Sequence, residues 1–246
     1  MPVWERFREA PITEALLDIR AVLAPSVDLS NLSSLHDGIG DQYPQKRERT
    51  KWEGAFKLSS EGPEVVRQSG GPDGFLFSSQ DGHQIVQVRL DGFTLNRLRP
   101  YDAWEPFRTE AKAQWERYRE VTSPSVVTRI ALRYINRIEI PLPMKDFREY
   151  VLTVPEVAPN LPQGLSEFFM RLVIPDPGIG CMGIIIETME PPTERILPLI
   201  LDIDVYREAL LEPASAEMWE LFEQLREFKN RIFFGSITDK AKELFK

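Results

Sequence analysis

The chain has 246 residues, 42% of them hydrophobic and 28% charged, a balance that suits a folded core and excludes a disordered or low-complexity chain. Its formal net charge of -8 disfavours nonspecific nucleic-acid binding by the molecule as a whole but leaves room for a local basic patch. The one cysteine, Cys181, excludes an intrachain disulfide and a cysteine-based zinc site, and fits a reducing cytoplasm.

The opening "MPVWERFREAP" carries charges and lacks the apolar run of a signal peptide. From there, Ala15 to Leu23 is predicted as a strand stopped by Pro25. "SVDLSNLSSLHDGIGDQY" predicts a helix, with Asp28 as cap and Leu32, Leu35 and Ile39 at helical spacing. "QKRERTK" is polar with mixed charge, "WEGAFKL" predicts a strand, and "EGPEVVRQSGGPDG" predicts a loop holding at most a short strand. Asp81-Gly82 and Asp91-Gly92 then split "GFLFSSQDGHQIVQVRLDGFTLNRL" into three hairpin-linked strands, because Gly tolerates positive φ.

"YDAWEPFRTEAKAQWERYREV" predicts a helix capped by Asp102, with Pro106 in the first turn where its missing N–H costs little. Trp104, Phe107, Ala111, Trp115 and Tyr118 form one continuous stripe, better suited to core packing than to base stacking. "VVTRIALRYINRIEIP" predicts a strand. Arg129, Ala131, Arg133, Ile135, Arg137 and Glu139 share one face, and Ile130, Leu132, Tyr134, Asn136, Ile138 and Ile140 the other. A short helix and a proline-rich link follow, then strands near Phe168 to Ile174, Met182 to Met189 and Ile196 to Tyr206. The longest apolar runs there, Gly183 to Ile186 and Ile196 to Leu201, fall far short of the ~20 residues a membrane span needs, so no membrane partner is expected. "SAEMWELFEQLREFKNRIFF" predicts a helix with Met218, Leu221, Phe222, Leu225, Phe228 and Ile232 inward and Gly235 as its end; Thr238 caps a last short helix.

Strands joined by hairpins, with helices set apart, predict an α+β fold of antiparallel sheets with segregated helices. The order suggests two similar β-α-β(3-4)-α halves, 1-124 and 125-246, in one compact unit. The β-α-β4-α order resembles half-repeats of TATA-box-binding-protein-like and helix-grip folds, a likeness of element order alone.

Five pieces carry a further likeness: "PITEALLDIR", "DGFTLNRLRPYDAWEPFRTEAKAQWERY", "RIALRYINRIEIP", "LDIDVY" and "LREFKNRIFFGSITDKAKELF". In this order they resemble a sporadically distributed family of uncharacterised bacterial proteins of similar size. The resemblance implies one shared architecture and a prokaryotic cytoplasmic protein, and brings no activity, cofactor or catalytic residue.

Four constellations could carry function. Arg129, Arg133 and Arg137, with Arg97 and Arg99 as possible sheet neighbours, would suit an anion or nucleic-acid groove, since guanidinium is always charged and fork-shaped; on a solvated sheet face they would instead pair with carboxylates. Asp202 and Asp204 share a strand face and, with Glu187 on the preceding strand, could hold Mg²⁺ for phosphoester or nuclease chemistry; alternatively they neutralise the arginines. His36 and His83 have no nucleophile-elbow pattern beside them, and no Walker A or dinucleotide-binding loop is present. In "LREFKNRIFFGSITDK", Lys229, Asn230 and Arg231 precede Phe233 and Phe234; they either complement a helix C-terminus or form a partner surface. The sequence thus favours a non-catalytic binding or accessory protein for a protein partner or an anionic ligand, without a cofactor.

Overall fold

The structure is a computed structural model that describes residues 4-59 and 62-246, with the side chains of residues 51-69 outside the description. Among the described residues, nine strands form a single antiparallel sheet. They are β1 (Ile12–Val22), β2 (Gln45–Ser59), β3 (Gly62–Ser78), β4 (Gln84–Arg89), β5 (Gly92–Leu98), β6 (Val126–Pro141), β7 (Phe169–Asp176), β8 (Cys181–Met189) and β9 (Ile196–Leu211). Their spatial order is β2-β3-β4-β5-β1-β6-β9-β8-β7. The fold is therefore α+β with an antiparallel sheet. The sheet runs unbroken across residue 124, because the first strand pairs along its length with β6 and closes the gap between the two stretches of chain.

Four helices accompany it: α1 (Leu29–Ser34), α2 (Trp104–Thr122), α3 (Ala216–Ser236) and α4 (Asp239–Lys242). The two long helices cover the same face. On β1, Ala15, Leu17 and Ile19 are buried there, opposite Leu95 and Phe93 of β5 and Leu132 and Tyr134 of β6. Trp115 and Tyr118 of α2 pack around Phe93, each with its ring 6.1 Å away. Phe228 and Ile232 of α3 sit over Gly183 of β8. The whole α2 stripe is buried, which is what its spacing of three and four residues provides. The other face carries no long helix, so its polar side chains must satisfy one another or water.

Several local expectations are corrected. The first strand begins at Ile12 rather than Ala15. The early helix is one turn and a half with a 3-10 turn after it, although Asp28 does cap it by accepting from the Ser30 and Asn31 N–H groups. The stretch around Pro72 is strand, not loop: β3 absorbs it through an irregular register against residues 49-52 of β2, where Pro72 need not donate to the ladder. Ala103, not Asp102, stands at the N-cap of α2, because Asp102 is held by Arg97. The segment after β6 makes only a three-residue 3-10 turn, Phe147–Glu149. Gly235 lies inside α3, which runs on to Ser236 and ends where Ile237 turns extended and bridges Val151. Thr238 does cap α4, accepting from the Ala241 N–H.

Gly92 is where the hairpin chemistry is strictest. Its φ is +146°, and a Cβ there would lie 2.1 Å from the Ile19 carbonyl oxygen on the adjacent strand. Backbone cannot yield cheaply at the centre of a sheet. Gly92→Ala is expected to lower stability by ~2 kcal/mol or more, from strain and strand displacement together; denaturant unfolding with an unchanged midpoint would contradict this.

Candidate functional site

The arginines of β6 lie on the helix-free face, as their alternation implies, and each meets carboxylates. Arg133 makes a two-pronged contact with Asp202 of β9, with its Nε at 2.9 Å. Arg129 reaches Asp204 and Asp18, each at 3.4 Å, and its guanidinium lies 4.5 Å over the Tyr206 ring. Arg137 holds Glu190 at 2.9 Å and also Glu139. The register explains this: Arg133 stands directly opposite Asp204 and Ile135 opposite Asp202, so the acids of one strand interleave with the bases of the other.

Asp18, on the central strand, gathers the rest of the lattice. Its carboxylate accepts from Thr94 at 2.6 Å, Arg89 at 2.8 Å and Arg20 at 3.1 Å. Burial pushes this carboxyl up, but Arg89 and Arg20 outweigh burial and hold it below the ordinary carboxylate range. Arg89 is almost fully buried, an arrangement tolerable only because Asp18, Asp91 and Thr94 all accept from it. Asp204 titrates above its ordinary value, chiefly through burial, with Arg129 and Arg133 opposing.

The other sequence candidates separate. Arg97 shares a face with Phe93 and Leu95, under the helices, where it donates to Asp102 and to the Pro100 carbonyl. Arg99 is exposed just beyond the end of β5. Glu187 lies opposite Leu201, and so on the face away from Asp202 and Asp204, which pair with Ile186 and Ile184. It cannot complete a metal site with them. Among the described residues no three His, Cys, Asp or Glu side chains come together as metal ligands. His36 sits beside the Phe77 ring, its Nε2 2.9 Å from the Tyr43 carbonyl oxygen, and His83 lies at the hairpin turn.

A different site emerges under the helices. The N-terminal segment, the start of α2, β6 and α3 line a half-open cavity of about 310 Å³. Trp4, Tyr101, Trp104, Tyr134, Phe233 and Phe234 supply aromatic wall. The Trp4 ring stacks on Phe234 at 5.0 Å, and its indole N–H donates to Glu227 at 2.9 Å, which ties the N-terminal segment down as a roof. The Tyr101 and Tyr134 hydroxyls lie 2.9 Å apart. Asn136, a polar residue on the apolar face of β6, spends its amide N–H on the Leu201 and Tyr134 carbonyls. Asn230, nearly buried, also lines the cavity.

Lys229 is the group that sets the chemistry of this cavity. Its Nζ sits 4.1 Å from the centre of the Tyr134 ring, and no carboxylate among the described residues forms an ion pair with it. Burial, with Arg226 nearby, pushes this amine down to about 7; Glu227 opposes only in part. The neighbouring cations are all engaged: Arg226 with Glu223 and Glu105, and Arg6 with Glu105. The sequence does hold a signal for Lys229, which lies four residues after Leu225 and four before Phe233, in line with the buried stripe. Tyr101 and Trp4 come from distant stretches, and nothing local marks them as partners of Lys229.

No protein-family model matches this chain, and no curated protein matches it.

Glu187 sets a stability effect of its own. It is 1% exposed, both carboxyl oxygens lack a partner among the described residues, and burial pushes it from 4.5 up to about 7. The folded chain thus holds this proton more tightly than the unfolded chain does. Stability from it is full below pH 4.5 and is lost as pH rises to about 7. That interval corresponds to ~3 kcal/mol at ~1.4 kcal/mol per pH unit. Glu187→Gln is expected to flatten the melting profile between those two pH values; a slope equal to the wild type's would refute the assignment.

Proposed function

We propose that this protein is a binding or accessory protein that takes a small anionic organic ligand in the aromatic cavity, acting in the bacterial cytoplasm as its motif likeness implies. The observation that carries this reading is the desolvated lysine without a carboxylate partner among the described residues, set in a concave aromatic site. An unpaired amine in such a place costs stability unless something supplies an acceptor. A ligand carboxylate would do so, as a charge-assisted hydrogen bond worth ~1.5–3 kcal/mol. Asn230 and the tyrosine hydroxyls add polar contacts that could orient the head group, while the indole and phenyl walls suit an apolar body.

The helix-free face supports the same choice by contrast. Its arginines and aspartates are committed to each other, so an anion or a metal ion would have to displace existing ion pairs. The cavity demands no such exchange.

The test is a calorimetric titration with 4-methylbenzoate, an aromatic carboxylate, backed by quenching of cavity tryptophans. Saturable binding is expected, weakened ~10-fold or more in Lys229→Met, since one charge-assisted contact is lost. Affinity is expected to fall as pH rises above about 7, because the free amine must take up a proton to hold the anion. Binding that is absent, or indifferent to Lys229→Met, would overturn the proposal.

A further inference from the structure

The geometry points to Lys229 as an imine-forming lysine that captures an aldehyde or ketone on the cavity's ligand. This inference rests on the binding reading above and names the ligand class for the same site.

Three features of the cavity favour that chemistry. The first is the state of the amine. Only a neutral amine attacks a carbonyl carbon, and a lysine becomes neutral near pH 7 when it is desolvated and lacks an acid partner. Lys229 is partly buried, its Nζ lies over the Tyr134 ring, no ion pair holds it among the described residues, and burial pushes the amine down to about 7. The contrast within the chain is sharp: Lys240 is half-exposed and bound to Glu149, and Lys242 and Lys246 are held by Asp239 and Glu243. The ion pairs of Lys240 and Lys246 raise those amines above the ordinary lysine value.

The second feature is the hydroxyl pair. Tyr101 and Tyr134 are each other's only side-chain hydrogen-bond partners among the described residues. One O–H donates to the other oxygen, and that second residue's own O–H remains for a group in the cavity. A carbonyl oxygen placed there would be polarised, and later protonated as it leaves. The third is the wall. Trp4 stacked on Phe234 covers part of the site, and such cover lowers the access of water to an imine.

The step balances without an oxidant or reductant. The Lys229 nitrogen lone pair forms the C–N bond, and the carbonyl π pair moves to oxygen. Two protons leave nitrogen, the carbonyl oxygen departs with two protons as water, and a C=N bond remains. Arg226, one turn earlier on α3, also lines the wall, and a ligand's anionic end there would share it with Glu223 and Glu105. An oxo acid or a carboxylate-bearing aldehyde combines the two groups.

The experiment uses 4-formylbenzoate, with 4-methylbenzoate as a partner that binds without reacting. The whole protein is incubated with each in cyanoborohydride at neutral pH, digested, and mapped by mass spectrometry. The expected result is one reduced adduct concentrated on Lys229, suppressed by excess 4-methylbenzoate. In Lys229→Arg, checked by circular dichroism to be folded, the adduct is expected to disappear, while saturable quenching of the wild type by 4-methylbenzoate reads binding separately from imine formation. Adducts spread evenly over the lysines would overturn the imine. So would saturable quenching by both compounds with no adduct on Lys229, an outcome that leaves the binding reading standing. Neither quenching nor adduct would overturn both.

Discussion

The carboxylate of Asp18 is the point on which this architecture turns. It stands on the central strand of a nine-stranded sheet, and side chains from four strands converge on it: Arg20 beside it, Thr94 and Arg89 from one flank, Arg129 from the other. Through Arg129 the lattice continues to Asp204, and Arg133 closes onto Asp202 one step along β9. A sheet this wide has two faces to satisfy and long helices for only one of them. A hydrophobic second face would be an aggregation surface. Unpaired charges there would be costly where burial is deep, as at Arg89. Interleaved acids and bases avoid both problems, and they tie the first half of the chain to the second by the same contacts.

That solution moves the functional question to the other face. Once the arginine strand and the acidic pair are committed to each other, Lys229 on α3 remains as a cavity-lining cation without an ion pair among the described residues. It is kept there by packing. Leu225 and Phe233 pin the helix face on either side, Tyr134 supplies a π-surface beneath, and Trp4 brings the N-terminal segment across. The amine has apolar and aromatic neighbours and too little countercharge, so its proton is held weakly. Glu187, under the same helix, is the mirror case: a carboxyl without partners that keeps its proton too long. Both groups show that this face is dry enough to move an ionisation by more than a pH unit.

Much of the architecture was legible wherever a local rule decides it. The two faces of β6 follow from strict alternation, the α2 stripe from its spacing, and the hairpins from Asp81-Gly82 and Asp91-Gly92. What failed did so for physical reasons. "CMGIIIETM" has three isoleucines in succession, so its apolar pattern cannot say which face Glu187 takes. Arg97 shares its parity with Phe93 and Leu95, a clue outweighed by the expectation that arginines gather on the solvated side. The reading in which Asp202 and Asp204 neutralise the arginines agrees with the ion pairs found, although which acid meets which arginine needs the β6–β9 register, which spans some seventy residues and has no local signal. The cavity needs more still, since Trp4, Tyr101, Tyr134 and Lys229 meet only after the sheet has formed.

The most direct measurement is the titration of Lys229 itself, followed by NMR of the side-chain ¹³Cε and ¹⁵Nζ, with Lys229→Arg to assign the signal. A midpoint of about 7 is what a desolvated, unpartnered amine in this cavity requires. A midpoint at the ordinary 10.5 would mean that the amine is solvated or paired, and the cavity would then lose its claim to be the binding site.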